Sequence, residues 1–189
     1  LRAGGSWFET NSDTRRGVQL NAFSERLTGD YDGDGWQAYV EGAWSRNIGS
    51  TALEPYVNYT RVDYSADVRE TGGDAALSGD FSETADLLTA GIRSRTLVAG
   101  GNGRPALTLV GHLAWTENLN DDGAVYKARF ADGPVFDVTG QSLAGDALQT
   151  SVSVYVQTTE RTAFDIGYAG THSSDYSNNR LFGRFSVKF

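Results

Sequence analysis

Apolar side chains recur at every second position along much of this chain, the spacing that gives a β-strand two chemically different faces. Over residues 36–45 one face reads Trp36, Ala38, Val40, Gly42 and Trp44, and the other Gln37, Tyr39, Glu41, Ala43 and Ser45. Leu107, Leu109, Gly111, Leu113 and Trp115 alternate in the same way with Thr108, Val110, His112, Ala114 and Thr116. Leu148, Val152, Val154 and Val156 oppose Gln149, Ser151, Ser153 and Tyr155, while Phe164, Ile166 and Tyr168 oppose Asp165, Gly167 and Ala169. The last segment sets Leu181, Gly183, Phe185, Val187 and Phe189 against Arg184, Ser186 and Lys188. Weaker alternation covers residues 1–9, 17–27, 52–65 and 85–98, so about nine strands are expected. Proline does not interrupt the pattern: Pro55 lies near the start of one strand and Pro105 just before another, where a missing N–H is tolerable.

The links between these strands sort by length. Short links are expected at residues 10–16, 47–51, 99–104 and 158–161, with 29–34, 66–84, 118–146 and 172–178 between them. In an up-and-down barrel successive links fall on alternate ends, which puts the short ones at one end and the long ones at the other. Short periplasmic turns opposite longer external loops are the pattern of an outer-membrane β-barrel. The long-loop end also gathers acid: Asp30, Asp32, Asp34, Asp67, Glu70, Asp74, Asp80, Glu83, Asp121, Asp122, Asp132, Asp137 and Asp146. Loop charge of this kind keeps an exposed end soluble.

The two faces then acquire physical meaning. Trp36 and Trp44 are separated by roughly 20 Å along the membrane normal, at about 3.3 Å per residue and a tilt of about 40°, close to the span between aromatic girdles. Trp7, Trp115, Tyr59 and Tyr168 are expected to join those girdles. The opposite face holds charge of both signs, Glu25, Glu41, Glu54, Arg93, Arg95, His112, Asp165, Arg184 and Lys188, and burying so many ions in a dry core costs several kcal/mol each unless they are paired. A wet lumen avoids that cost. Mid-strand glycines at 42, 91, 111, 167 and 183 suit a curved wall.

Composition narrows the class. The 189 residues contain 23 glycines, no cysteine and no methionine, and carry a formal charge of −8. One domain over residues 1–189 is expected, without disulfides or thiolate metal sites. The acidic balance argues against nucleic acid as a partner, since lysine and arginine supply affinity for phosphates. No apolar run approaches the length of a transmembrane helix, but strands that alternate can cross lipid as a closed barrel with an ordinary average hydropathy.

Candidate chemistry is sparse. Asp30, Asp32, Asp34, Gly35 and Glu41 fill the spacing of a calcium loop, yet that geometry needs flanking helices, and residues 36 onward alternate as a strand; an acidic hairpin tip is the better reading. The glycine-rich residues 100–105 precede a strand and read as a turn rather than a phosphate cradle. Neither histidine, His112 nor His172, sits in a catalytic motif, so no catalytic residue, metal or cofactor is nominated. Glu41, Glu54, Arg93, Arg95 and Arg184 are instead candidates for an ion ladder inside the barrel, with His112 and Asp165 as further polar residues of the lumen.

The residues carry a family resemblance. LFGRFSVKF at the C-terminus, with Phe185, Val187 and Phe189 in one row, resembles the terminal strand by which bacterial outer-membrane proteins are recognised for assembly. ALEPYVNYTRVDYSADVRETGGDAALSG (residues 52–79) is similar to the autotransporter translocator domain, through its L-E-P-Y strand and E-x-G-G-x-A-A-L loop. TAGIRSR (89–95), HLAW (112–115), PVFDVTGQSLAGDA (134–147) and DIGYAGTHSSDYSNN (165–179) continue the likeness in order. The resemblance implies an all-β, antiparallel up-and-down transmembrane barrel of twelve strands, of which about nine are visible, at the C-terminus of a type V secreted protein. It implies a monomer in the bacterial outer membrane with its C-terminus periplasmic, and as partners outer-membrane lipid, the chain's own N-terminal passenger and the barrel-assembly machinery. The first strands and the lumen-spanning helix are not found before Leu1, so the chain reads as the C-terminal three quarters of the domain, with two edges that lipid cannot satisfy. A small porin or adhesin barrel without a passenger, and a soluble all-β binding module, are the alternatives the residues leave open.

Overall fold

Strands that alternate over such lengths can satisfy their backbone groups only by pairing side by side, and the computed structural model shows this throughout. It describes residues 1–20, 23–101, 104–120, 125–139, 146–174 and 176–189. The strands are β1 (Arg2–Leu20), β2 (Phe23–Ala43), β3 (Arg46–Ile48), β4 (Thr51–Thr71), β5 (Leu77–Gly101), β6 (Arg104–Asn118), β7 (Val125–Phe130), β8 (Phe136–Thr139), β9 (Asp146–Gln157), β10 (Thr162–Ser173) and β11 (Ser177–Val187). All pairings among them are antiparallel, and the wall runs in the order β1-β2-β4-β5-β6-β9-β10-β11. Short β3 extends the β4 edge, and the β7–β8 hairpin pairs with the far end of β5. Among the described residues β1 and β11 do not pair with each other, so the wall is a half-barrel with two edges.

The N-terminal expectation needs correction. The three strands expected over residues 1–45 are two, because β1 and β2 pair without interruption from Arg2↔Glu41 to Leu20↔Phe23. Residues 10–16 and 29–34 are therefore strand interior, not links, and Asp30, Asp32 and Asp34 lie along a strand rather than at a hairpin tip. Residues 66–84 are also mostly strand, with β4 and β5 joined by a turn over 72–76. The paired residues Leu20 and Phe23, where β1 ends and β2 begins, thus stand at the same end as the long segment between β6 and β9. Short separations between strands are therefore not confined to the opposite end, where residues 44–50 and 158–161 lie. Asp121 and Asp122, the tip of the glycine-rich turn and residues 140–145 of the PVFDVTGQSLAGDA segment lie outside the described residues.

The register explains the error. Directly paired residues share a face, so the pairings Trp7↔Trp36↔Asp63↔Thr84 trace one row across the outside of four strands. On the β2 side of that row running toward residue 43, Ala38 and Val40 face outward and Glu41 inward. Running toward residue 23, Asp34, Asp32 and Asp30 face outward, and Gly33, Tyr31 and Leu27 inward. β4 repeats the change, with Val57 and Tyr59 outside against Asp63 and Asp67 outside, and Glu54 inside against Tyr64 inside. Alternation never stops, but the apolar phase shifts by one residue at the row, and a phase shift in sequence resembles a break between strands.

Packing follows the same division. Beyond the row, the inner face carries aromatic contacts from Phe8 to Tyr64 (5.9 Å between ring centroids), Tyr64 to Phe81 (5.8 Å) and Phe81 to Tyr126 (4.4 Å). Gly33 and Gly35 make room for it, since a Cβ on Gly33 would lie 2.5 Å from Tyr64 Oη and one on Gly35 2.6 Å from Phe8 Cζ. Leu27, on this face, is the one large side chain among the described residues that is fully buried. Elsewhere the apolar rows stand open: Trp44 is 65% exposed, Ile166 69% and Leu181 85%. A water-soluble sheet buries such rows; a contiguous exposed set calls for another apolar phase.

Candidate functional site

The inner face between the Trp36 row and the end bearing residues 44–50 is where the charged positions converge. Four successive strands each contribute one: Arg2 from β1 directly opposite Glu41 on β2, and Glu54 on β4 directly opposite Arg93 on β5. Arg93 forks between the carboxylates, with Nη2 2.6 Å from Glu41 Oε2 and Nη1 3.0 Å from Glu54 Oε1. Arg2 does the same from the other side, its Nη1 2.5 Å from Glu41 Oε1 and 3.0 Å from Glu54 Oε1. Ser45 Oγ donates to Glu54 Oε2 at 2.7 Å. The Arg93 guanidinium lies 3.7 Å over the Tyr56 ring, and Tyr56 Oη is 2.7 Å from His112 Nε2. Two cations and two anions thus balance, and planar guanidinium forks hold both carboxylates in fixed geometry.

This arrangement ties strands together across the wall. Glu41, the least exposed of the four at 7% of its side chain, has cationic partners on both sides, so its desolvation is met by pairing. An open cavity of about 640 Å³ flanks the network, lined among others by Glu54, Tyr56, Arg93, Arg95 and His112. Of the residues singled out in the sequence, Glu41, Glu54, Arg93 and His112 come together here, and Arg95 lines the same cavity. Asp165 and Arg184 face each other in register on the same face but lie on β10 and β11, away from this cluster, and Asp165 Oδ1 is buried without a hydrogen-bond partner. Sequence reasoning missed Arg2 and Tyr56. Arg2 sits where the alternation is weak, while Tyr56, two residues after Glu54, was legible only as a member of the L-E-P-Y strand.

On the outer face the aromatic positions follow a slanted line. Trp7 pairs with Trp36, whereas Tyr59 pairs with Val40, further along β2. Trp115 pairs with Ala90 and, through Val57, falls in the row of Gly42. Tyr168 is lower again, reaching Leu53 through Val152, Gly111 and Ser94. Strands tilted by about 35–45° give this descent to residues that share one height along a barrel axis. Trp44 stands near the opposite end, just past β2. In the last strand Phe185 and Val187 share the outer row, with the Phe185 ring 4.8 Å from that of Phe164, and Phe189 follows β11.

The calcium-loop spacing does not survive folding, because Asp30, Asp32 and Asp34 lie on the outer face and Glu41 on the inner, so the set cannot converge on one ion. Beyond the Trp36 row two acidic groups show opposite environments. Asp67 stands between Asp32 and Asp80 in register, and the shared hydrogen bond with Asp80 raises its pKa, helped by burial and repulsion. Glu70 is held below the ordinary carboxylate range by Arg16, against a smaller opposing effect of burial, with help from the Leu77 N–H.

Comparison with known proteins agrees with this geometry. The autotransporter β-domain family model matches residues 1–169. Two extracellular serine proteases of Serratia marcescens are each 28% identical, over 192 and 194 residues, and the match takes in all of this chain. The chain spans about 18% of the length of these relatives. An outer apolar wall, an inner polar one and a family match over most of the length lead to one conclusion: the chain belongs to the autotransporter β-domain family, whose members are outer-membrane translocator barrels.

Proposed function

We propose that this chain anchors an N-terminal passenger in the outer membrane and assists its export, contributing no catalysis of its own. The observation that carries the reading is the pairing of open apolar rows outside with a charge-balanced, hydrogen-bonded network inside, because lipid accepts the first and a hydrated lumen the second. The relatives are named as extracellular serine proteases and are several times longer than this chain, which supports a passenger borne upstream of residue 1. Upstream strands also close the wall: the β1 and β11 edges expose backbone groups that hydrocarbon cannot satisfy.

In this reading Trp7, Trp36, Tyr59, Trp115 and Tyr168 form the girdle toward the external side and Trp44 belongs to the periplasmic one. The lumen carries Glu41, Glu54, Arg93, Arg95, His112, Asp165 and Arg184, the C-terminus is periplasmic, and Phe185, Val187 and Phe189 form the row offered to the barrel-assembly machinery. The barrel functions as a monomer. Neighbouring residues on β9 test it. In the full-length protein Val154→Asp, on the outer face, is expected to abolish heat-modifiable barrel and surface exposure of the passenger, while Ser153→Asp, on the inner face, retains both. Equal behaviour of the two variants contradicts the assignment of faces.

A further inference from the structure

The turn between β4 and β5 is fastened to the inner face by a set of contacts that the ion network does not involve. Glu25, on β2, receives the backbone N–H of Asp74 at Oε1 and that of Ala75 at Oε2, both at 2.9 Å. Arg16, on β1, donates from Nη2 to the Ala75 carbonyl at 2.9 Å and from Nε to Glu70 Oε1 at 3.0 Å. Glu70 Oε2 in turn accepts the Leu77 N–H at 2.8 Å. The turn is held at both shoulders and at its tip, and three strands supply the fastenings.

The fit is close enough to dictate sequence. A Cβ on Gly73 would lie 2.2 Å from the Glu25 carboxyl carbon, so only glycine lets that carboxylate reach the amides of the next two residues. Gly72 has φ +114 and brings the chain against the Arg26 carbonyl. Ala76 is buried, its carbonyl accepts the Ala131 N–H at 2.8 Å, and Leu27 on the β2 floor is only 1% exposed. Glu70, Gly72, Gly73, Ala75, Ala76 and Leu77 are the E-x-G-G-x-A-A-L positions that the sequence singled out and that the ion network leaves unexplained.

We propose that residues 72–76 are a strap, clasped by Glu25 and Arg16 across the inner face at the loop end of the wall, which closes over Leu27 and narrows that mouth. A carboxylate bound by two backbone amides is a strong, directional fastening, whereas the strap's own backbone contributes few bonds, so the clasp decides whether it lies inward. The inference rests on the barrel fold of the family and not on the passenger's identity.

The test uses full-length protein in a cysteine-free background, with assembly checked by heat modifiability. Leu27→Cys alone is expected to resist a bulky polar maleimide. Adding Glu25→Ala, or Gly73→Ala, which displaces the carboxylate from the turn side, is expected to raise its labelling rate at least tenfold. Equal labelling with and without these changes overturns the strap. If Leu27→Cys prevents assembly, amide exchange at Asp74 and Ala75 in Glu25→Ala reads the same clasp: faster exchange than wild type supports it, and unchanged exchange overturns it. A strap failure with passenger export intact leaves the translocator reading standing; loss of barrel assembly in otherwise unaltered protein would strike at that reading instead.

Discussion

Below the Trp7–Trp36 row and above it, the same four strands are built on opposite plans. Below, oil is sought by the outer face: Val40, Val57, Leu88 and Ile92 stand exposed, while Glu41, Glu54 and Arg93 are paired within. Above, the outer face carries Asp32, Asp67 and Asp80 in one register row, and the inner face packs Phe8, Tyr64, Phe81 and Leu27. In the proposed function the lower part is a wall between lipid and hydrated lumen; the upper is a curved sheet with its apolar side turned in, as in water. What changes at the row is the solvent outside, and the sequence keeps its two-residue period while exchanging the faces.

The largest effect that separates the regions comes from one substitution made twice on the outer face of β2. Val40→Arg should cost about 2–4 kcal/mol of barrel stability, the depth-dependent cost of a cation near mid-bilayer, whereas Thr28→Arg should cost less than about 0.5 kcal/mol. Reversible urea unfolding in lipid vesicles measures both. Next is Leu27→Ala on the inner face of the upper part, expected to lose about 2–3 kcal/mol by leaving a cavity under the turn. The equivalent inner-face truncation below, Thr89→Ala, should be nearly silent by the same assay, since its neighbours are hydroxyls rather than packed apolar groups.

Arg93→Leu comes third, at about 1–3 kcal/mol, because Glu41 loses one cationic partner while Arg2 remains. Its expected signature is faster amide exchange at the β2–β4 and β4–β5 junctions near the network, with the upper sheet unaffected. Spread of the effect to β7 would show the regions to be coupled.

The smallest effect is pH-dependent and has two signs in the upper region. Glu70 is held low by Arg16, so its contribution is fully present above the unfolded carboxylate pKa and is lost as acidification protonates it. Asp67 is raised by Asp80, so its strain is present at neutral pH and is relieved as pH falls through its elevated value. Acid should therefore speed amide exchange at residues 74–77 while slowing it where β4 meets β5 around Asp67. Asp67→Asn should abolish the second change and leave the first.

Much of this was legible in sequence. In β6, β9, β10 and β11 the alternation grouped residues into the same two faces as the register does, because those strands are mainly of the lower kind and keep one apolar phase. The N-terminal third was misdivided for a physical reason. At Asp34–Gly35–Trp36 the apolar phase passes from odd to even positions, and glycines and aspartates, ordinarily turn formers, occupy the crossing. There the glycines serve instead as space for Phe8 and Tyr64. Arg2 in the ion network and Glu25 at the turn could not be paired from sequence, since their partners are set by register across strands far apart in the chain.

The central claim is that the outside of one continuous sheet meets lipid below the Trp36 row and water above it. Single spin labels at positions 28, 30, 32, 34, 38, 40 and 42 of the full-length protein in bilayers, compared for collision with oxygen and with a polar nickel chelate, test this directly. Oxygen should dominate at 38, 40 and 42 and nickel at 28 to 34, with the change centred on residue 36. Nickel-dominated accessibility along the whole series, or oxygen-dominated accessibility continuing through residue 28, would contradict the account.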